Sequence, residues 1–185
     1  MPTGGGHDHA VTFYASDDEL AEQVYEHLCG PADAGTAIII ATPEHRKLIS
    51  ERLGQAGVDV PAEWAHGAFV ALDASEVMAS FMTGGWPDPA AFWSTLSPLL
   101  KQALARPGPV RVFGEMVALL WADGQTGAAV DLEALWNELA GQYSFSLLCA
   151  YPASIVHGDD VADDLAHLHA AHSALRSGGR ADGLR

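Results

Sequence analysis

The chain has 185 residues, of which 49% are hydrophobic and 18% charged, and nine Lys and Arg against 24 Asp and Glu give a net charge of -15. This apolar content excludes a disordered chain, and the length suits one domain rather than two. Because the chain is so acidic and its basic side chains are scattered, we expect no direct binding to nucleic acid or anionic lipid.

The ends and the cysteines indicate the cellular compartment. The apolar runs are too short to span a membrane, and the start, MPTGGGHDHA, lacks the features of a secretory signal. Cys29 and Cys149 lie in apolar segments, which favours two buried, reduced thiols and a cytoplasmic protein. Glycine-rich segments predict a flexible start at 1–8, a single domain at 9–176 and a flexible tail at 177–185.

Short β-favouring runs alternate with stretches of helical periodicity. The predicted strands are 10–14, 36–41, 68–72, 110–113 and 145–150. Four of them lack polar alternation, as do parallel strands that are covered on both faces. The sequence therefore predicts an α/β fold of three layers, with a mostly parallel sheet and helices on both faces.

Capping signals mark the starts of the helices. Two of the capping residues begin a capping box or a close variant of that motif, and the other two are followed by proline at the first helical position. The capping residues are Ser16, Thr42, Asp73 and Asp88. Apolar stripes predict a further helix around 132–139 and a last one at about 160–175.

Ligands of open α/β sheets bind beyond the carboxyl ends of the strands. After the first strand, Tyr14 is followed by Ser16 and three consecutive acids, without the glycines and lysine of a phosphate-binding loop. No GxSxG, GxGxxG or strong metal-ligand spacing is present, and the histidines of the last helix, around 167–172, do not supply one. The sequence therefore predicts no enzyme, no cofactor and no metal.

The segments that follow the second and fourth strands carry charged residues, each of which has two possible roles. Glu44 is either a general base or an acid that complements the helix dipole, and His45 is either a ligand contact or a solvated group. After the fourth strand, Gly114 allows a tight turn and places Glu115 at the ligand crevice. Otherwise Glu115 caps the next helix and pairs with Arg111.

The aromatic and buried candidates are also ambiguous. Trp121 and Trp136 belong either to the core or to an apolar ligand pocket. Tyr151 offers a phenol at the carboxyl edge, and His9 either fixes the start of the first strand or reaches a ligand. Cys149 is predicted to be inert, because an apolar strand raises the pKa of a thiol.

Several segments resemble the MEDS domain, a sensory domain of methanogens and methylotrophs found in the DcmR regulator. They are HAVTFY, GTAIIIATPEHRKLISERL, RVFGEMVALLWADG, LEALWNELA and FSLLCAYP, in the same order over about 9–156. The resemblance implies a RecA/KaiC-like core whose nucleotide-binding loop is no longer intact, used in signal transduction or transcription regulation. It also implies that Glu44 occupies the place of a glutamate common in RecA-like ATPases, and that His172 lies in the family's closing helix.

We therefore expect a non-enzymatic sensory domain that binds an unidentified small molecule at the carboxyl edge of the sheet and relays to a separate signalling protein or transcription regulator. The alternatives are a protein-interaction module without a ligand and a residual nucleotide-binding or hydrolysing enzyme; self-association is left open. The candidate ligand-binding residues are His9, Phe13, Tyr14, Glu44, His45, Arg111, Phe113, Gly114, Glu115, Trp121, Trp136 and Tyr151.

Overall fold

The computed structural model describes residues 8–29, 35–156 and 174–175. The helices are α1 (Asp17–Leu28), α2 (Pro43–Gln55), α3 (Val60–Ala65), α4 (Ala74–Ala79), α5 (Pro89–Leu104), α6 (Met116–Ala122) and α7 (Thr126–Gln142), with a 3-10 turn at Ala153–Val156. The strands are β1 (Asp8–Tyr14), β2 (Thr36–Ala41), β3 (Phe69–Asp73), β4 (Met82–Thr83), β5 (Trp86–Pro87), β6 (Val110–Gly114), β7 (Ser146–Pro152) and β8 (Ala174–Leu175).

Within the described residues, six strands form one sheet in the order β3-β2-β6-β7-β1-β8, and every neighbouring pair is parallel. β1 and β7 pair over their full length, from Asp8 opposite Ser146 to Tyr14 opposite Pro152. β4 and β5 form a separate antiparallel hairpin. The predicted parallel α/β sheet is confirmed.

Successive residues of each strand point to opposite faces of the sheet, and each face buries its own core. On one face, Ile39 and Phe113 pack with the apolar sides of α1 and α2. On the other face, Ile38 and Val112 pack with α4, α5, α6 and α7. Helices therefore cover both faces of the sheet, as predicted.

The predicted caps lie at the helix starts. Ser16, Thr42, Asp73 and Asp88 are the N-caps of α1, α2, α4 and α5, and each side chain accepts a backbone N–H from the first turn. These bonds satisfy amides that have no partner inside the helix. The ends of the strands are thereby joined directly to the helices that follow them.

Several predictions need correction. α3 and the β4–β5 hairpin have no counterpart in the sequence prediction, because each is too short to show a periodic pattern. Residues 174–175 pair with Ala10 and Val11 as strand β8 instead of ending a helix, and Asp8 begins β1 instead of belonging to a flexible start. Cys29 is exposed, not buried.

The remaining predictions for the ends fall on residues 1–7, 157–173 and 176–185, outside the described part of the chain. Within the described part, none of the helices combines the length and the apolar character needed to cross a bilayer.

Candidate functional site

The first strand exit has no free phosphate cradle. The hydroxyl oxygen of Ser16 accepts the N–H of Glu19 at 3.3 Å, and the carboxylate of Glu19 accepts the N–H of Ala15 at 2.8 Å. Asp17, Asp18 and Glu19 also place three acids in the first turn of α1. Both the used amides and the negative charge oppose the binding of a phosphate at this junction.

Glu115 joins two strand exits. It follows β6 directly, its residue is 5% exposed, and its backbone N–H donates to the carbonyl of Ile40 in β2 at 3.1 Å. Its carboxylate accepts the backbone N–H of Thr42 at 2.6 Å and lies 2.6 Å from Nδ1 of His45. Glu115 therefore fixes the start of α2. It also occupies the N-cap position of α6, as one interpretation of the sequence expected, but its side chain makes no cap bond there.

His45 extends this contact to the first strand exit. While Nδ1 donates to Glu115, Nε2 lies 3.6 Å from a carboxylate oxygen of Asp17, whose side chain is 73% exposed. The hydrogen bond to Glu115 raises the pKa of His45 above its usual value, burial opposes this shift, and the charges of Glu115 and Asp17 support it. The imidazole therefore links β1, β2 and β6 in one ionisable network at the carboxyl edge, which we call the edge network: Asp17, His45 and Glu115.

Tyr14 flanks the edge network. Its ring meets the imidazole of His45 edge-on, with 6.2 Å between centroids and an interplanar angle of 89°. Burial, followed by the charges of Glu115 and Asp17, raises the pKa of Tyr14 to about 12. The phenol therefore stays protonated and can donate a hydrogen bond.

Arg46 connects the neighbouring exit of β3. One guanidinium nitrogen lies 3.0 Å from a carboxylate oxygen of Asp73, the N-cap of α4. Glu44, in contrast, is an exposed acid in the first turn of α2. The sequence placed Glu44 and His45 side by side, but the structure brings only His45 into the edge network.

The expected pair between Arg111 and Glu115 is not formed. Arg111 pairs with Ala37 and Ser146 near the amino ends of β2 and β7, and three residues of strand separate it from Glu115, so that the two Cα atoms are roughly 13 Å apart along the chain. Partial desolvation raises the pKa of the Cys29 thiol, although the residue is exposed, and the charge of Arg111 opposes this rise. His45, not Arg111, is the basic partner of Glu115.

The aromatic candidates pack inside the protein. Trp136 is 2% exposed and Phe113 is fully buried, while Phe13 contacts Tyr151 at a centroid distance of 6.0 Å. Gly114 lies against Trp136, since a Cβ at this glycine would be 3.9 Å from the indole. Trp121 is partly buried against the core that includes Trp136. These side chains support the sheet as parts of the two cores or of their margins.

His9 and Tyr151 belong to a second, buried polar cluster between β1, β7 and α7. Nε2 of His9 lies 3.4 Å from Sγ of Cys149 and 3.3 Å from Oε2 of Glu133, and Nδ1 lies 2.8 Å from Oδ1 of Asn137. The phenol of Tyr151 donates to Oε1 of Glu133 at 2.6 Å. We call His9, Glu133, Asn137, Cys149 and Tyr151 the inner cluster.

Sequence reasoning missed Glu133 and Asn137. The available signal is their spacing, because two polar residues four apart share a face of α7, and Glu133 is 1% exposed. Burial and then the charge of Glu133 raise the pKa of Cys149 well above its usual value, and the same two causes raise that of Tyr151. The raised pKa favours the protonated thiol of Cys149 at neutral pH, and the inertness of this thiol stays a prediction.

A sensory family matches this chain. Residues 8–170 match the MEDS family, the methanogen/methylotroph, DcmR sensory domain. The chain belongs to this family of sensory domains.

Solved structures with a similar fold are known. A Pyrococcus horikoshii OT3 protein determined in a structural study is similar over 94% of this chain and 82% of that chain, with a TM-score of 0.56 and 10% sequence identity. At this identity the similarity concerns the fold alone. No curated protein matches this chain.

The edge network predicts a specific pH dependence of stability. Because folding raises the pKa of His45, its contribution is fully present below the unfolded value of about 6.5 and is lost as the pH rises through the folded value. We expect His45→Gln to lower the free energy of unfolding by about 1.5 kcal/mol near pH 6, and by less once the pH exceeds the folded pKa. Urea unfolding across this range measures the difference, and an equal loss at every pH would contradict it.

Proposed function

We propose that this protein is a sensory module that binds a small molecule over the edge network and passes the signal to a separate regulator in the cytoplasm. The observation that carries the proposal is that Glu115, His45 and Asp17 connect the carboxyl ends of β6, β2 and β1. Within this network, the imidazole of His45 lies between the buried carboxylate of Glu115 and the exposed carboxylate of Asp17. A ligand that contacts Asp17 or His45 would thereby act on a buried hydrogen bond.

The charges at this edge favour a particular ligand chemistry. Asp17, Asp18 and Glu19 lie at the start of α1, and Tyr14 contributes a protonated phenol beside His45. Such a surface favours a cationic or neutral hydrogen-bonding molecule and disfavours a phosphate. A small amine or alcohol therefore fits the proposal better than a nucleotide does.

The proposed module carries out no reaction. Support comes from the first strand exit, where Ser16 and Glu19 already occupy backbone amides that a phosphate would need. We further infer a RecA/KaiC-like core that has lost nucleotide binding, in line with the family membership of the chain.

Signal relay would pass through α6. Glu115 immediately precedes α6, and the buried residues of α6, among them Met116 and Val117, share a core with α7. A ligand that weakens the bond between His45 and Glu115 would release Glu115, the residue before α6, from the start of α2. The release would alter the surface that α6 and α7 offer to a regulator.

Native mass spectrometry of freshly purified protein tests the proposal, followed by thermal-shift measurements with a panel of small amines and alcohols. We expect a retained mass or a stabilising compound whose affinity falls about tenfold or more in Glu115→Gln and in Tyr14→Phe. Glu51→Gln is the matched control, because Glu51 is an exposed acid of α2 that pairs only weakly with Lys47 at 3.8 Å. Binding that is equal in all variants would contradict this site.

A protein-interaction module is the second candidate. Trp86 is 53% exposed on the β4–β5 hairpin, beside a cleft of about 330 Å³. The other wall of the cleft is the turn at Gly124 and the first residues of α7. Trp64, on α3, is 57% exposed. Exposed tryptophans are typical of protein-binding surfaces. If no compound of the panel binds and no mass is retained, while Trp86→Ala abolishes co-purification of a regulator, this candidate replaces the first.

A further inference from the structure

The inner cluster contains three different metal-ligand side chains within reach of one point. The ligand atoms of His9, Glu133 and Cys149 all lie within 4.8 Å of one another, and the three residues are 4%, 1% and 1% exposed. They come from β1, α7 and β7, so the fold brings together residues from both ends of the described chain. The cluster lies on the α7 side of the sheet, apart from the edge network.

The distances match those around a tetrahedral ion. Zinc bonds of about 2.0 to 2.3 Å to nitrogen, oxygen and sulfur place neighbouring ligand atoms roughly 3.3 to 3.6 Å apart. Nε2 of His9 lies 3.3 Å from Oε2 of Glu133 and 3.4 Å from Sγ of Cys149. Two edges of the ligand set therefore already have the length that a bound ion requires.

The surrounding hydrogen bonds orient the ligand atoms of His9 and Glu133 toward the centre of the cluster. Asn137 accepts a hydrogen bond from Nδ1 of His9, which leaves the lone pair of Nε2 directed toward Cys149 and Glu133. Tyr151 donates to Oε1 of Glu133, which leaves Oε2 on the side of His9. Outer bonds of this kind, to the second ring nitrogen and to the ligating carboxylate, are characteristic of metal sites.

We propose that His9, Glu133 and Cys149 form a binding site for a divalent transition-metal ion of the zinc class. A nitrogen, an oxygen and a sulfur ligand suit a borderline ion such as Zn²⁺ or Co²⁺ better than they suit Mg²⁺ or Ca²⁺. Binding replaces the thiol proton of Cys149, which passes to solvent, and three side chains leave a fourth position for a further ligand. This site does not depend on the proposed ligand at the edge network.

The competing interpretation is a metal-free ion pair, in which protonated His9 donates from Nε2 to Glu133. In that arrangement the same side chains have hydrogen-bond partners, and Cys149 keeps its thiol proton. The two interpretations therefore differ in what they predict for Cys149.

Titration of the full chain with Co²⁺ separates them, because a thiolate bound to cobalt gives an intense near-ultraviolet charge-transfer band and tetrahedral coordination gives strong visible bands. We expect one equivalent of Co²⁺ to produce both, and Zn²⁺ to displace it. Cys149→Ser should abolish the charge-transfer band, while Cys29→Ser, at the exposed thiol, should leave it unchanged. Absence of the band from the wild type, its survival in Cys149→Ser or its loss in Cys29→Ser would overturn the proposal.

A second variant tests the outer bonds without removing a ligand. We expect Asn137→Ala to weaken Co²⁺ binding by about 10- to 100-fold, since His9 then loses the partner that orients its ring. Circular dichroism confirms that each variant is folded before titration. Unchanged affinity in a folded Asn137→Ala variant would contradict the geometry from which the site is inferred.

Discussion

Replacing Trp136 with alanine is expected to lower the free energy of unfolding by about 4 kcal/mol. The indole is 2% exposed and meets the rings of Phe92 and Phe145 at centroid distances of 5.5 and 6.3 Å. Its removal leaves a cavity beneath the sheet and exposes the neighbouring rings to empty space. Urea unfolding followed by circular dichroism measures the loss.

Trp64→Ala is the matched control, because the Trp64 side chain is largely in solvent and its residue is 57% exposed. We expect that variant to lose less than about 1 kcal/mol. A small loss for Trp136→Ala, similar to that of the control, would mean that Trp136 lines a pocket instead of filling the core. The comparison therefore decides between the two readings that the sequence left open for this tryptophan.

Gly35→Ala is expected to destabilise the protein by about 3 kcal/mol. A Cβ at Gly35 would lie 2.2 Å from the backbone carbonyl oxygen of Pro109, the same oxygen that accepts the N–H of Thr36 at 2.9 Å. Since that oxygen belongs to the backbone, the segment before β2 must move away from the segment before β6. The first hydrogen bond between these two strands is then weakened or lost.

Gly54→Ala provides the contrast, since a Cβ at Gly54 meets nothing within 4 Å and the residue lies in α2. Alanine favours helix over glycine, so we expect a gain of about 0.5 to 1 kcal/mol. Thermal unfolding of the two variants, measured side by side, checks that Gly35→Ala destabilises the protein and that Gly54→Ala stabilises it. Equal effects would show that close approach to Pro109 does not set the requirement for glycine at position 35.

The sheet and the helix caps could be predicted because their causes are local. The TAIIIA segment shows by itself that both faces of β2 are covered, and Thr42 followed by proline marks the start of α2. The run at 145–150 indicated β7, although the strand extends to Pro152. By contrast, residues 174–175 form a strand only because β1 is beside them, and no local pattern carries that information.

The candidate site was partly predictable for the same reason. Tyr14, His45 and Glu115 were found because each lies in or just after the segment where a strand ends. Their pairing could not be found, since the contact between His45 and Glu115 spans 70 residues of sequence. Arg111 was assigned to Glu115 because the two are close in sequence, although the strand holds them apart.

The inner cluster shows more clearly which contacts cannot be predicted from the sequence. His9 and Asn137 are 128 residues apart, and only the register of β1 against β7 and the packing of α7 bring them together. Glu133 lies on a helix whose other buried residues are apolar, and Asn137 lies one turn further along that helix. The sequence assigned His9 and Tyr151 to the carboxyl edge because it carries no information on which face of the sheet a polar side chain meets.

The position of β1 also determines when the chain can finish folding. Of the strands described here, β1 is synthesised before the others, yet it lies between β7 and β8, the last two of the sheet in chain order, whereas β2, β3 and β6 neighbour one another and come earlier than those two. Residues 8–14 must therefore wait until residues 174–175 have been synthesised before they can pair with both neighbours. During that interval the growing chain exposes an unpaired edge of β6, the kind of surface that chaperones shield in newly made α/β proteins.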